Sequence, residues 1–228
     1  LVKQFAIIED GEGNYRQLKI KWWQWAPRML LGRTARYRVF GEDPRCKEVW
    51  VLKPERLPHA VKNKGREIDF IAGDSARTLI RSLLNTETAF GTQSNELILA
   101  TQPIELLPDI SIAQKQQLYA RIVQHLQQLN CTVFLKIHPS EDPADYHHLD
   151  GITRQLPGKV PLEALILSTA IPIPVVSIMS TAGMGFEQYC RRIQLCTTSY
   201  SQDVPTWTVN ENSFQEILDK YLTAEALG

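Results

Sequence analysis

Three short clusters carry the side chains that could do chemistry. Glu9-Asp10-Gly11 closes the apolar run Phe5-Ala6-Ile7-Ile8, and Lys136-Ile137-His138-Pro139 closes Thr132-Val133-Phe134-Leu135. Ser177-Ile178-Met179-Ser180-Thr181-Ala182 follows the third run, Ile173-Pro174-Val175-Val176. Each cluster sits just past the C-terminal end of an expected strand, where open α/β sheets bind their ligands. An acid and a histidine there could serve as base and acid of a group transfer. Ser180 and Thr181 precede an expected helix bearing Gly183 and Gly185. Hydroxyls and backbone N–H groups at such a terminus make an anion site, equally readable as an ordinary cap.

Each signal also has a plainer structural meaning. Alternation along a strand sends Glu9 and Asp10 to opposite sides. One then faces a cleft, and the other takes N–H groups of the turn at Gly11. A lone acid–acid–glycine triplet usually just ends a strand. Histidine as a residue type can serve as acid or cation near neutral pH, and Pro139 holds the backbone of His138 out of the helical region. Lys136 lies on the same face as His138 if both belong to the strand. Glu163 falls early in a helix opening near Pro161, where a carboxylate can accept two ribose hydroxyls or favour the helix dipole. His147 and His148 read as solvated, and His59 and His125 as surface residues. No Walker or dinucleotide glycine fingerprint is present.

The positioning elements follow from hydrophobic pattern. A buried strand is expected at 5–10 and strands at 49–52, 97–100, 132–137, 175–178 and 193–196, with a short one at 68–71. Helices are expected at 76–85, with Leu79, Ile80, Leu83 and Leu84 on one side, and at 162–167, 183–192 and 213–222. A long amphipathic helix is expected at 111–129 behind the N-cap Ser111. This strand–helix alternation predicts parallel sheets wrapped by helices. A polar stretch at 86–96 reads as a linker between a domain at 1–92 and a nucleotide-binding domain at 93–228. Because the chain opens at Leu1, almost in mid-strand, further residues are expected upstream.

The chain has 228 residues and no net charge, but residues 1–66 carry 15 Lys/Arg against 7 Asp/Glu. That imbalance suggests that the N-terminal part meets something anionic. Trp22, Trp23 and Trp25 stand among six cations. They could stack on sugars or sit at a membrane interface, but core packing is the preferred reading. The four cysteines lack metal-site spacing and read as reduced thiols, which favours a cytoplasmic protein.

The order of the clusters, more than any one of them, resembles the bacterial GT-B sialyltransferases, polysialyltransferase and lipooligosaccharide sialyltransferase groups included. Thr101-Gln102-Pro103 after the first strand of the second domain is similar as well. The resemblance implies two Rossmann-like domains, the N-terminal one incomplete. It implies inverting transfer of sialic acid from CMP-sialic acid to a hydroxyl of a cell-surface polysaccharide or lipooligosaccharide. Glu9 would be the base and His138 would hold or protonate the leaving phosphate. Ser180 and Thr181 would bind that phosphate and Glu163 the ribose, with Lys136, Pro139 and Gln102 beside the donor. Asp10 stands as a second acid and Gly11 as a loop residue. No cofactor, obligatory metal or nucleic acid is expected. The basic segment 15–38 leaves room for peripheral contact with the inner membrane face. A transferase using another CMP- or CDP-linked group, and a non-catalytic nucleotide-binding remnant, are the competing readings.

Overall fold

The computed structural model describes residues 3–9, 12–68, 74–84, 91–107, 109–196 and 203–227. The chain divides into two compact units, Leu1–Phe70 and Ile71–Gly228. Each is α/β and built on a parallel sheet, the architecture expected of a GT-B-type chain.

The first unit comprises β1 (Phe5–Ile8), β2 (Leu18–Lys19), α1 (Trp25–Leu30), β3 (Tyr37–Arg38), β4 (Cys46–Val51) and β5 (Gly65–Glu67). Its main sheet has the order β1-β4-β5. The small core is Val39, Cys46, Val49, Val51, Leu57 and Val61. As an edge strand, β1 alternates instead of burying fully, and Ile8 is 67% exposed. β5 lies just before the strand expected at 68–71, of which residues 69–71 lie outside the described residues. β2 and β3 form a separate antiparallel ribbon.

The second unit opens with α2 (Asp74–Leu84), then β6 (Glu96–Ala100), α3 (Ile112–Gln128), β7 (Thr132–Lys136) and β8 (Arg154–Gln155). α4 (Leu162–Ser168), β9 (Ile173–Ser177), β10 (Cys190–Gln194), α5 (Asp203–Val209), α6 (Glu211–Tyr221) and α7 (Ala224–Leu227) complete it. Five parallel strands lie in the order β10-β9-β6-β7-β8. Strand alternation sorts the core onto two faces. Leu97, Leu99, Val133, Leu135 and Val176 meet Leu118, Ile122 and Leu126 of α3 with Trp207 and Phe214. Ile98, Phe134 and Val175 meet Leu165 and Ile166 of α4. Burial on both faces gives the unbroken apolar runs that make parallel strands legible.

Ser111 caps α3 as expected, accepting from Gln114 N while Gln114 returns the bond in a capping box. α2 corrects its expected face: Leu79 and Leu83 are 57% and 71% exposed, and Ile80 packs on the core. His125, expected at the surface, is buried, with Nε2 at 2.9 Å from Leu222 O. The helix expected at 183–192 does not form. Gly183 and Gly185 have φ of +71° and +86°, the turn bond Met184 N–H to Thr181 O follows, and β10 begins at Cys190. A Cβ at Gly183 would meet Cys190 Sγ at 2.8 Å, so that tight turn needs glycine. The strand expected at 193–196 is accordingly the end of β10 and the residues beyond it.

Candidate active site

Central strand β6 continues to β7 on one side, and the chain later returns to place β9 on the other. That reversal makes a switch point, where loops diverge and leave a crevice at the C-terminal strand ends. A pocket of about 380 Å³ occupies this edge, within the size range of small-ligand sites. It is lined from four successive loops: Thr101 after β6, Lys136, His138 and Pro139 at the end of β7, Gly158 to Glu163 after β8, and Ser180 to Ala182 after β9.

Six expected donor-side residues therefore line one pocket: Lys136, His138, Pro139, Glu163, Ser180 and Thr181. Gln102 does not line it. Its Oε1 instead accepts from Met179 N–H at 2.6 Å, tying the loop after β6 to the loop after β9. Ser180 Oγ accepts from Ala182 N–H at 3.0 Å, and Ser180 O accepts from Gln194 Nε2 at 3.1 Å. These bonds hold a turn where a helix terminus was expected.

Lys136 is buried and turns its ammonium to Pro157 O and Gly158 O at 3.1 and 2.8 Å. Burial lowers its pKa, opposed by the charge of Glu163. The lysine thus holds the loop that leads into α4. Glu163 is half-buried in the first turn of that helix.

His138 is exposed on the pocket rim, and its Nδ1 lies 3.2 Å from Ser140 N and 2.7 Å from Ser140 Oγ. The Ser140 N–H can only donate, so Nδ1 is its acceptor and the neutral ring carries its proton on Nε2. The His138 backbone is fixed separately: its N–H donates to Thr101 Oγ1 at 3.0 Å, and Thr101 Oγ1 donates to Glu141 Oε2 at 2.5 Å.

Glu141 belongs to a buried network that sequence reasoning missed. Its Oε1 accepts from Tyr146 OH at 2.6 Å and from Lys115 Nζ at 3.3 Å. Lys115, fully buried, also meets Asp145 at 2.8 Å and Glu105 at 3.1 Å. Burial works against the Lys115 ammonium, but these acids hold its pKa above the ordinary lysine value. Tyr119 OH accepts from Gln102 N–H at 2.9 Å. The loops after β6 and β7 thus rest on one connected set of polar groups.

Glu9 lies in the first unit, just past β1. Its Oε2 accepts from Tyr15 OH and from Leu52 N–H, both at 2.6 Å. Oε1 is buried and lacks a hydrogen-bond partner among the described residues. Tyr15 OH accepts in turn from Lys53 N–H at 3.1 Å. Burial, then the bond to Glu9, raises the Tyr15 pKa, so the phenol stays protonated and donates. Sequence gave no signal for Tyr15. Asp10 and Gly11 lie outside the described residues. Among the described residues no cluster of three or more His, Cys, Asp or Glu is placed to hold a metal ion.

Residues 4–197 match the family model for alpha-2,8-polysialyltransferase (POLYST). The chain belongs to the alpha-2,8-polysialyltransferase family. That match runs from β1 through β10, so it takes in Glu9 and every residue of the pocket. Among solved structures, an alpha/beta-galactoside alpha-2,3-sialyltransferase from the luminous marine bacterium Photobacterium phosphoreum is similar over 75% of this polysialyltransferase-family chain. Identity is 14% and the TM-score 0.40, and the chain spans 52% of that protein's length. Comparison with curated protein sequences found no significant match.

Proposed function

We propose that the chain is part of an inverting sialyltransferase and that its second unit binds the donor, CMP-sialic acid. The observation that carries the reading is the convergence of His138, Glu163, Ser180 and Thr181 on one pocket at a sheet switch point, in a chain of the alpha-2,8-polysialyltransferase family. In this reading Glu163 accepts the ribose hydroxyls. Ser180 and Thr181 donate to the phosphate of the nucleotide.

Departure of cytidine monophosphate leaves an oxocarbenium-like centre and a growing phosphate charge. The His138 Nε2–H stabilises that charge where it develops. Glu9 acts as the base on the acceptor hydroxyl, an analogue of the water-activating carboxylate of an inverting glycosidase. Its Oε2 is already held by Tyr15 and Leu52, which leaves Oε1 for the incoming proton. The nucleotide is a good leaving group, so the reading needs no metal and no other cofactor. The acceptor is a hydroxyl of an anionic surface glycan, matched in charge to the basic first unit.

The test is transfer of labelled sialic acid from CMP-sialic acid to an oligosialic acceptor, wild type beside Glu9→Gln and His138→Ala. The reading requires transfer by the wild type and its loss in both variants. Equal transfer by all three would remove these residues from the chemistry.

A further inference from the structure

The first unit carries an excursion that the proposed transfer chemistry does not use. The ribbon of β2 and β3 pairs Leu18 with Arg38 and Lys19 with Tyr37, and clasps residues 20–36 between them. Two salt links hold the fold of the excursion: Arg28 meets Glu42, and Arg33 meets Asp43 at 2.7 Å. Thr34 also donates to Glu42 at 2.6 Å. What this frame presents outward is apolar. Trp22 is 73% exposed and Leu30 88% exposed, and Trp23, Met29 and Leu31 are exposed beside them.

Around these side chains the charge has one sign. From Gly13 to Gly41 there are seven Lys or Arg and no acid. Lys19, Lys21, Arg36 and Arg38 are all exposed. A patch this apolar on a soluble surface marks an interaction site. The cation collar selects an anionic partner.

We propose that this excursion is an interfacial anchor that seats the first unit on a bilayer carrying anionic lipid. Two observations favour lipid over an anionic glycan. Met29, Leu30 and Leu31 are aliphatic and fit acyl chains, not sugar hydroxyls. Two of the three indoles that a sugar could stack on already carry a cation over one face. Lys21 Nζ sits over Trp23 at 5.0 Å, and Arg36 sits over Trp25 at 5.6 Å. Indoles at headgroup depth, with cations reaching the phosphates, are the side-chain pairing that an interface favours. Each basic side chain then adds attraction to an anionic surface, and salt screens it.

The test is co-sedimentation of the full chain with vesicles of phosphatidylcholine plus phosphatidylglycerol, beside phosphatidylcholine alone, at low and high salt. The expected result is partition onto the anionic vesicles, weakened by salt. Leu30→Gln/Leu31→Gln and Lys19→Gln/Lys21→Gln should each lower the partition coefficient about tenfold or more, with unchanged circular dichroism. The lipid and salt comparisons use the unaltered chain and stand whatever the variants do. Absence of partition overturns the proposal. So does equal partition onto neutral vesicles, or retention on a sulfated polysaccharide column without vesicle binding.

Discussion

Thr101 Oγ1 donates to Glu141 Oε2 at 2.5 Å and accepts from the N–H of His138 at 3.0 Å. One hydroxyl therefore joins the loop after β6 to the loop that carries the histidine. It also connects that histidine's backbone to the buried charge on Glu141. Thr101→Val removes both bonds at once and leaves a buried carboxylate short of a donor. The expected cost is about 3 kcal/mol of stability, together with loss of turnover. Thr101→Ser keeps both bonds and should restore kcat. Denaturant unfolding and transfer assays on the pair check this, and a valine variant as active as the serine variant would contradict it.

Ser140 sets the ring where Thr101 sets the backbone. Ser140→Ala keeps the N–H that donates to Nδ1 and loses the hydroxyl contact at 2.7 Å. One orienting hydrogen bond is worth about 1 kcal/mol, so kcat should fall roughly fivefold with KM for the donor little changed. The His138 ring-proton resonances should also shift in the alanine variant, read by NMR, because the ring loses an orienting contact. Unchanged ring resonances and an unchanged kcat would remove Ser140 from the site.

Lys115 gives a pH dependence whose sign follows from its raised pKa. A cation held above its unfolded value stabilises the fold fully below the ordinary lysine value, about 10.4. That contribution is lost as pH rises through the raised folded value. Lys115→Met leaves the buried Glu141, and the half-buried Glu105 and Asp145, without their cation, a loss of about 3 kcal/mol at neutral pH. The gap between wild type and variant should narrow only in the strongly alkaline range. Melting curves taken across pH 7 to 11 check it, and a gap that closes below pH 9 would contradict it.

Much of this arrangement is legible in the sequence because parallel strands buried on both faces leave unbroken apolar runs. The runs before Thr101, His138 and Ser177 are such strands, so the pocket edge can be read before the structure is seen. The helix expected at 183–192 failed for a local reason. Its glycines serve positive-φ turns, and strand pairing of Cys190 to Gln194 with β9 outweighs helical spacing. The tryptophans failed for another. Trp22, Trp23, Met29, Leu30 and Leu31 lie in the excursion clasped by β2 and β3, and the small core of Val39, Cys46, Val49, Val51, Leu57 and Val61 does not take them in, so they remain exposed.

The Glu141 network was half legible. Lys115 falls on the stripe of Leu118, Ile122 and Leu126, three residues ahead of the first, so its burial is readable from helical spacing. Its acids come from distant segments, which spacing along one helix does not reveal. Gln102 illustrates the same gap: its place in the loop after β6 was legible, and its turn away from the pocket to bond Met179 N–H was not.

Glu9 and Tyr15 make the clearest pair for separating positioning from chemistry. Glu9→Gln keeps the acceptor for Leu52 N–H and removes the base, so kcat should fall at least a hundredfold with donor affinity unchanged. Tyr15→Phe keeps the base and removes its 2.6 Å donor, so the loss should be smaller, about tenfold. Steady-state kinetics with CMP-sialic acid decide it. A tyrosine variant as impaired as the glutamine variant would give Tyr15 the larger role.

The central claim is that the pocket between the loops after β6, β7, β8 and β9 holds a cytidine nucleotide. Calorimetric titration with cytidine monophosphate, beside uridine and guanosine monophosphates, tests it most directly. The account predicts saturable binding of the cytidine nucleotide alone, lost in Ser180→Ala/Thr181→Ala and retained in Glu9→Gln. Binding without base preference, or binding that survives the double substitution, would contradict it.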